Sequence, residues 1–342
     1  MVAVIGPIVL AINPGSRSLK VAAHDASGVR VLDRRVARPT ADCSSALVDL
    51  DERLDAAGVT PTAIAHRVVH GGPDHVRPQR VDDELLASLR TLVDFAPLHM
   101  PGDLESIEAA RARWPELPHV ACFDTAFHAT LGPAARRLPV PDPVAALGVR
   151  RYGFHGLSLQ HVVDTVPALG RAVVAHLGGG CSITAVRGGR SVQTSMSFSP
   201  TGGLPSVSRS GDLDPEVLLF LADRGWATAD LRGLVDRSSG LAGMSGGLTD
   251  VAELTRRAAA GNPGCELALE VSPPRWRPRW PGTPPCSAAS TPWCSPAGSA
   301  STQGPSAPRW PTGSGTSASS WTARPACRGT SAPRGPLCGP WW

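Results

Sequence analysis

The stretch IVLAINPGSRSLKVAAHDASGVRVLDRR, residues 8–35, predicts three short strands joined by two tight turns. Its segments are rich in β-branched residues and are bounded by Gly, Pro and Ser, which favour turns. The stretch AVVAHLGGGCSITAVRGGRSVQTSM, residues 172–196, repeats this plan of strand, turn, strand, turn and strand. Because each meander is followed by alternating helical and strand segments, the sequence predicts duplicated α/β domains that face a central cleft.

Apolar periodicity and capping residues define the segments around these meanders. The short apolar run HVACF, residues 119–123, is predicted as a buried strand. Helices are expected at 42–58, where Asp42 would be the cap, at 82–93, at 102–114 and at 214–225. The predicted organisation is an N-terminal α/β domain over 1–149, an incomplete C-terminal α/β domain over 150–271, and an aberrant tail over 272–342.

The distribution of charge argues against nucleic-acid and membrane partners. The formal net charge is +4, but the segment from Val271 to Trp342 has no Asp or Glu and contains seven arginines. The rest of the chain carries 26 basic and 29 acidic residues, so the basic balance does not indicate a nucleic-acid partner. No apolar run reaches the roughly 20 residues that span a bilayer, so no membrane partner is expected.

The cysteines and the first residues indicate a cytoplasmic protein. The eight cysteines include no CxxC pair and no Cys/His cluster with zinc spacing. Those that precede the tail are interpreted as buried thiols in a reducing compartment. The apolar start MVAVIGPIVLAINPG lacks a basic region and a small-residue cleavage site, so a first core strand is favoured over a signal peptide.

The turn NPGSRSLK, residues 13–20, has the residue types of a phosphate-binding turn. Its backbone N–H groups could bind phosphate oxygens, Lys20 adds a positive charge, and Asn13 offers an oxygen to the water shell of a metal. Lys20 is also the only lysine of the chain. On this motif alone, a plain hairpin with polar turn residues is the first interpretation.

Two further motifs lie at predicted strand ends. HLGGGCS, residues 176–182, puts three glycines in the corresponding turn of the second meander, which allows a ligand close to the backbone. Such a turn is also a common structural hairpin. FDTAFH puts Asp124 at the carboxyl end of a strand, the edge where open α/β sheets bind ligands. The alternative for Asp124 is a helix cap.

Three motifs offer Arg or His beside Gly or a tight turn: HRVVHGG, RRYGFHG and SRSGDLDP. Each one alone is compatible with a solvated loop that carries a structural ion pair. Taken together, Arg67, His155 and Arg209 would supply cationic groups to a site that handles several negative charges.

Nine motifs in this order make the chain similar to the acetate kinase, or acetokinase, family: NPGSRSLK, HRVVHGG, FAPLHMP, FDTAFH, RRYGFHG, HLGGGCS, TSMSFSP, RSGDLDP and SGLAGMSGG. The resemblance implies the fold shared by sugar kinases, Hsp70 and actin. In that fold, two actin-like, ribonuclease H-like ATPase domains face a central cleft, and here the second would be incomplete. The resemblance also implies reversible transfer of the γ-phosphoryl group of ATP to acetate, giving acetyl phosphate and ADP, with Mg²⁺ or Mn²⁺, in a cytoplasmic homodimer.

The resemblance gives individual residues a role. Asp124, His155 and Arg209 would be catalytic, Arg67 would bind the substrate carboxylate, and Asn13 would belong to the metal site. The nucleotide would be bound by Lys20, His176, Leu177, Gly178, Gly179, Gly180 and Asp250. A carboxylic acid of pKa about 4 to 5 is ionised at neutral pH, so acetate needs no general base. Asp124 is therefore expected to orient Mg²⁺ or the acceptor rather than to remove a proton.

The chain also departs from the family pattern. Arg17 interrupts a run of serines, Gly179 replaces the Asn of HLGNG, and Met100 replaces the Asn that follows PLH. Ala252 replaces an Arg that helps to bind the nucleotide.

Two alternatives to an acetate kinase stay open. A propionate or butyrate kinase of the same family is one, because the pocket residues around Val68 and Pro205 do not separate acids that differ by one methylene, worth only about 1 to 3 kcal/mol. A nucleotide-binding relative without turnover is the other, and it is supported by Ala252 and by the missing end of the family pattern.

The tail that begins at Val271 is interpreted as a frameshifted translation, and it is expected to be largely unpacked. It holds seven of the nine tryptophans, whereas disordered Pro/Ser-rich segments are normally poor in aromatic residues. If each codon begins one base earlier, Trp293 and Cys294 must yield Val, and the following codons permit Phe-Thr-Gly-Gly-Ile-Gly-Glu-His. That sequence resembles the VFTGGIGEN nucleotide loop of the family. A chain with the Trp-rich tail would lack this loop and a later Mg²⁺-binding Glu, and is expected to be inactive.

Overall fold

A mixed sheet of six strands organises the first half of the chain. The computed structural model describes residues 6–15, 18–37, 43–167 and 169–275, all of which lie in one compact unit. The strands are β1 (Val9–Pro14), β2 (Ser18–His24), β3 (Arg30–Ala37), β4 (Ala63–Val68), β5 (Gln79–Arg80) and β6 (His119–Phe123). Their order in the sheet is β3-β2-β1-β4-β6-β5.

The pairing of these strands determines where the site residues lie. β1 pairs antiparallel with β2 and parallel with β4, and β4 pairs parallel with β6. In this register Arg67 lies opposite Cys122, two residues before Asp124. Because the carboxyl ends of parallel strands meet at the same edge of a sheet, Arg67 and Asp124 are brought to one edge.

One face of this sheet is covered by helix α1 (Cys43–Ala56). Burial alternates along β1, so that Leu10 and Ile12 pack with Leu47, Leu50 and Leu54 of the helix. Each of these side chains is at most 1% exposed, and burying one contributes about 1.5 to 3 kcal/mol. A shift of the strand by one residue would expose the whole set, so this packing fixes the register.

Further helices of the first half cover β4 and β6. A second cluster of buried side chains includes Leu89, Met100, Ile107, Phe123 and Phe154. The helices are α2 (Asp83–Arg90), α3 (Met100–Arg113), α4 (Pro133–Arg136), α5 (Asp142–Ala146) and α6 (Gly156–Thr165), with 3-10 turns at Val93–Phe95 and Ala126–Thr130.

The second half contains a three-stranded antiparallel sheet followed by helices. The strands are β7 (Arg171–Leu177), β8 (Cys181–Arg187) and β9 (Arg190–Thr194), in the order β7-β8-β9. The helices are α7 (Pro215–Ala222), α8 (Thr228–Arg237), α9 (Gly240–Met244), α10 (Val251–Ala259) and α11 (Pro263–Arg275). Leu241, Leu254 and Cys265 are buried where α9, α10 and α11 pack together.

The predicted meanders are confirmed as β1 to β3 and β7 to β9, and HVACF is confirmed as β6. The helix predicted at 82–93 ends earlier, at Arg90. The helix predicted at 102–114 begins earlier, at Met100, because Pro101 lies in its first turn, where no helical hydrogen bond needs the missing N–H. The proposed cap Asp42 and residues 276–342 of the tail lie outside the described residues. Within the described ranges, no helix combines the length and the apolar character needed to cross a bilayer.

Two buried histidines on β4 and β6 form a hydrogen-bonded pair in which an added proton would have no acceptor. His66 Nε2 lies 2.9 Å from His119 Nδ1, and His119 Nε2 lies 3.0 Å from the carbonyl oxygen of Trp114. Since the carbonyl must accept, His119 Nδ1 accepts from His66 Nε2. The remaining nitrogen, His66 Nδ1, is buried without a hydrogen-bond partner. A proton added there would put an unpaired charge in the core, and burial accordingly lowers the pKa of His66 to about 3.

We expect the free energy of unfolding to fall steeply as the pH drops below about 6. Burial is the largest cause of the lowered pKa of four histidines, which is about 3 for His66 and His99 and about 4 for His70 and His128. The ordinary value is 6.5. Between the two values the unfolded chain binds protons that the folded chain does not, so each histidine costs about 1.4 kcal/mol per pH unit.

At pH 5 the four together would remove roughly 8 kcal/mol, which is comparable to the whole stability of a typical domain. Urea denaturation between pH 7.5 and 5 measures this loss. His66→Gln should make the slope of the unfolding free energy against pH less steep by about 1.4 kcal/mol per pH unit, which is the contribution of one histidine. An unfolding free energy that stayed constant over this range would contradict the expectation.

Candidate active site

An ion pair lies at the sheet edge where β4 and β6 end. Nε and Nη2 of Arg67 both donate to Oδ2 of Asp124, at 2.9 and 2.5 Å. The Asp124 side chain is only 6% exposed. Burial lowers the pKa of Arg67, but the carboxylates of Asp124 and Asp103 outweigh it and raise this pKa above its ordinary value. Arg67 is therefore charged, and among the described residues its Nη1 has no hydrogen-bond partner.

Helix α6 is docked on the same strand end by a backbone contact. The N–H of Gly156 donates to the carbonyl of Asp124 at 2.8 Å. A Cβ atom at Gly156 would lie 2.3 Å from that oxygen, so no residue with a side chain fits. The preceding residue, His155, has φ 63° and is the only non-glycine residue with positive φ in the described part of the chain. The contact therefore fixes His155 beside Asp124.

The His155 ring is held between two residues of the second sheet. It stacks on the His176 ring, with centroids 4.0 Å apart and planes 21° apart. Its Nδ1 lies 2.9 Å from Oγ of Ser182. Burial and the neighbouring His176, together with Arg67 and Arg209, lower the pKa of His155 well below its ordinary value. The ring is consequently neutral at physiological pH.

Arg209 completes the cluster next to the Gly-rich turn. Its Nη2 lies 3.0 Å from His99 Nε2, and its Nη1 donates to the carbonyl of Pro200 at 3.3 Å. A Cβ atom at Gly180 would lie 2.9 Å from Arg209 Nη1 and 3.3 Å from His155 Nε2. The absent side chain at Gly180 thus keeps backbone, guanidinium and imidazole close together, as the binding of a small anionic group requires.

The histidine rings of this cluster are neutral, so its charges lie on guanidinium and carboxylate groups. A guanidinium can only donate, so His99 Nε2 accepts from Arg209 and the His99 ring is neutral. Burial, followed by Arg209, lowers the pKa of His99 to about 3. Burial also lowers the pKa of His176. Asp124 pairs with Arg67, whereas among the described residues no carboxylate is hydrogen-bonded to Arg209, so this guanidinium is available to an anion.

The structure brings together most of the predicted site residues. The cluster contains Arg67, Asp124, His155, Arg209 and the turn that runs from His176 to Gly180. Asn13 and Lys20 are register partners in the β1–β2 hairpin, and Lys20 is exposed. Asp250 is the N-cap of α10 and accepts from the N–H groups of Ala252 and Glu253. No contact among described residues joins Asn13, Lys20 or Asp250 to the cluster, and their roles remain predictions.

Three further residues of the cluster were not singled out by the sequence analysis. His99 contacts Arg209, Ser182 contacts His155, and Asp103 accepts from the N–H of Val69 at 2.7 Å, two residues after Arg67. The motif FAPLHMP contained the signal for His99. The motif HLGGGCS ends in the same way on Ser182, whereas Asp103 has no such signal, because an Asp in a helix is common in any protein.

A metal site built from protein alone is absent from the described residues, where no three His, Cys, Asp or Glu side chains are arranged to hold an ion. Mg²⁺ in phosphoryl-transfer sites is usually held by one or two carboxylates together with phosphate oxygens and water. Asp124 fits that mode, because both nitrogens of Arg67 use its Oδ2 and no described residue donates to its Oδ1.

Guanidinium groups, a carboxylate and a Gly-rich turn at the strand edge of an α/β fold are the groups that position and neutralise phosphates in the sites of phosphotransferases. Residues 37–278 match the acetokinase family, and the chain belongs to this family. The predicted fold class and the resemblance drawn from the nine motifs are thereby confirmed.

Relatives and solved structures agree with this assignment. The acetate kinase of Arthrobacter sp. (strain FB24) is 40% identical over 291 residues, covering 78% of this chain and 75% of the relative. The acetate kinase of Nitrobacter hamburgensis is 38% identical over 299 residues, covering 77% and 73%. The crystal structure of a propionate kinase from Francisella tularensis has a TM-score of 0.73 at 30% identity, covering 78% of this chain and 77% of that one. Porphyromonas gingivalis acetate kinase has a TM-score of 0.69 at 28% identity, covering 79% and 77%.

Proposed function

We propose that this protein catalyses the reversible transfer of the γ-phosphoryl group of ATP to acetate, giving acetyl phosphate and ADP. The observation that carries the proposal is the pairing of Arg67 with Asp124 beside His155 and Arg209. One guanidinium would bind the acceptor carboxylate, and the other would face the transferred group. Membership of the acetokinase family supports the same reaction.

In this reaction a carboxylate oxygen of acetate attacks the γ-phosphorus. The new oxygen–phosphorus bond forms as the bond to the β,γ-bridging oxygen breaks, and ADP leaves. No proton is removed, because acetate is already ionised. The barrier comes from bringing an anion onto a polyphosphate, so catalysis depends on positioning and on neutralising charge. Arg67 Nη1 would hold the acetate carboxylate, and Arg209 and the neutral His155 would stabilise the transferred group.

The nucleotide and its metal would be bound around this centre. Asp124, through Oδ1, and Asn13 would hold Mg²⁺ or Mn²⁺, which neutralises phosphate charge when bound. The turn from His176 through Leu177 to Gly178–Gly180 would line the phosphates, as would Lys20. Asp250 would contribute through the start of α10, whose cap it forms.

Phosphoryl transfer is tested by trapping acetyl phosphate as the hydroxamate. The enzyme for this test is expressed from the gene with the reading frame after Val271 set one base earlier. This version is the frame-restored enzyme. We expect turnover that requires acetate, ATP and Mg²⁺. If no acyl hydroxamate formed with acetate, propionate or butyrate, the proposed activity would be wrong.

A propionate kinase is the second candidate, because a structure of that activity matches with a TM-score of 0.73. One methylene changes substrate preference by only about 1 to 3 kcal/mol, so family membership does not distinguish the acids. Comparison of kcat/KM for acetate, propionate and butyrate decides between them. We further propose a cytoplasmic homodimer, for which light scattering of the frame-restored enzyme is the check.

We expect Gly180→Ala to lower kcat about 100-fold or more while the fold is retained. The added methyl group would lie 2.9 Å from Arg209 Nη1, the flexible end of that side chain, so the guanidinium moves and the backbone does not. Gly132→Ala is the matched control, since a Cβ there has no atom within 4 Å. Steady-state kinetics and thermal unfolding of both variants test this. Equal kcat values would place Gly180 outside the site.

A further inference from the structure

The His155 ring rests on a single cross-strand pair of the second sheet. His176 on β7 and Ser182 on β8 are register partners in the antiparallel hairpin that carries the Gly-rich turn. The His176 ring supports one face of His155, and the Ser182 hydroxyl meets its Nδ1 at 2.9 Å. Ser182 is completely buried, so no water competes for this contact. The hairpin therefore fixes both the plane of the ring and its rotation.

The backbone of His155 cannot supply that orientation by itself. Its φ of 63° lies in the left-handed region, which costs a residue with a side chain roughly 1 to 2 kcal/mol. His155 precedes the first residue of α6, and its side chain makes no capping hydrogen bond that would hold the ring. The position of the imidazole then depends on what its own atoms contact.

We propose that Ser182 is a positioning residue that selects the tautomer of His155 for phosphoryl transfer. Its hydroxyl donates to Nδ1, so the single proton of the neutral ring lies on Nε2. That nitrogen lies 3.3 Å from the point where a Cβ of Gly180 would be, in the space next to Arg209 Nη1. Nε2 then donates a hydrogen bond to an oxygen of the transferred phosphoryl group. The inference rests on the function proposed above.

The chain contains a matched control for this hydrogen bond. His128 Nδ1 lies 2.9 Å from Oγ of Ser191, and Ser191 is also completely buried. The difference lies at the other nitrogen, because His128 Nε2 contacts the carbonyl oxygen of Phe154 at 2.9 Å. Ser191→Ala therefore removes the same kind of hydrogen bond, but at His128, whose Nε2 contacts the Phe154 carbonyl and does not face Gly180.

Kinetics of the frame-restored enzyme give the first test. We expect Ser182→Ala to lower kcat about 10- to 100-fold, with KM for acetate and for ATP changed by less than about twofold. Ser182→Thr keeps the hydroxyl and should recover most of kcat. Ser191→Ala should leave kcat unchanged, although both alanine variants lower the thermal unfolding temperature. Equal losses of kcat in the two alanine variants, or no loss in Ser182→Ala, would overturn the inference.

Nitrogen-15 NMR of histidine-labelled full-length chain gives a test that needs no turnover. His155→Asn assigns the His155 signals, and their shifts show which ring nitrogen carries the proton. We expect a proton on Nε2 in the unsubstituted chain, and a mixture of tautomers in Ser182→Ala. A proton on Nδ1 in the unsubstituted chain would refute the role of Ser182. The expected tautomer in an enzyme that makes no acetyl phosphate would instead count against the proposed function.

Discussion

Arg67→Ala is expected to lower kcat/KM for acetate by about 1,000-fold or more, chiefly through a higher KM for acetate. Arg67 uses Nε and Nη2 for Asp124, which leaves Nη1 for the substrate carboxylate. Removing the guanidinium also leaves the carboxylate of Asp124, only 6% exposed, without its counterion. Losing one partner of a buried charge pair typically costs about 3 to 5 kcal/mol. The measurement is initial-rate kinetics with acetate and ATP varied separately in the frame-restored enzyme.

A surface ion pair of the same length is the control. Arg90 Nη2 lies 2.5 Å from Glu108 Oε1, but these side chains are 56% and 47% exposed. Exposed pairs contribute about 0 to 1 kcal/mol, so Arg90→Ala should leave the kinetics unchanged. Comparison of Arg67→Ala, Asp124→Ala and the double variant separates the two roles of Arg67. If the double variant had the same KM for acetate as Asp124→Ala, Arg67 would serve only as the counterion of Asp124.

The sequence was informative where function depends on local motifs. The β-branched residues of the first strands and the turn residues between them predicted the meander, and HVACF followed by Asp124 predicted a strand with a carboxylate at its end. The parallel pairing of β4 and β6 then explains why Arg67 and Asp124 meet, although they are 57 residues apart in the chain. Motif and strand polarity together were sufficient for this part of the site.

The remainder of the site depends on contacts that a sequence does not encode locally. His155 is left-handed next to Gly156, whose N–H donates to the carbonyl of Asp124, and its ring stacks on His176 from the second half of the chain. For Asp250, by contrast, the sequence did offer a local signal. Its predicted role came from the resemblance, whereas its carboxylate caps α10, a local use that the Asp before a helical segment could have suggested.

The two sheets also differ in a way that bears on the tail. In the first half, β1 is paired on both sides, by β2 and by β4, while among the described residues its counterpart β7 pairs with β8 alone. The duplicated plan calls for a parallel strand next to β7. In the frame one base earlier, the tail permits Val-Phe followed by a Gly-rich loop, as β4 is followed by Val69, His70 and two glycines. Such a strand would bring its loop to the carboxyl end of β7, beside Gly178–Gly180.

We therefore expect the frame-restored enzyme to form acetyl phosphate at least about 1,000-fold faster than the chain with the Trp-rich tail. Each lost group that contacts a transferring phosphoryl typically costs 100- to 1,000-fold, and the tail as translated lacks a whole loop. A third version that stops after Arg275 should be as inactive as the Trp-rich chain, which separates loss of the loop from interference by the tail. Resequencing the gene and weighing the intact native protein complete the test. A native protein that carries the Trp-rich tail and turns over acetate and ATP would refute the frameshift.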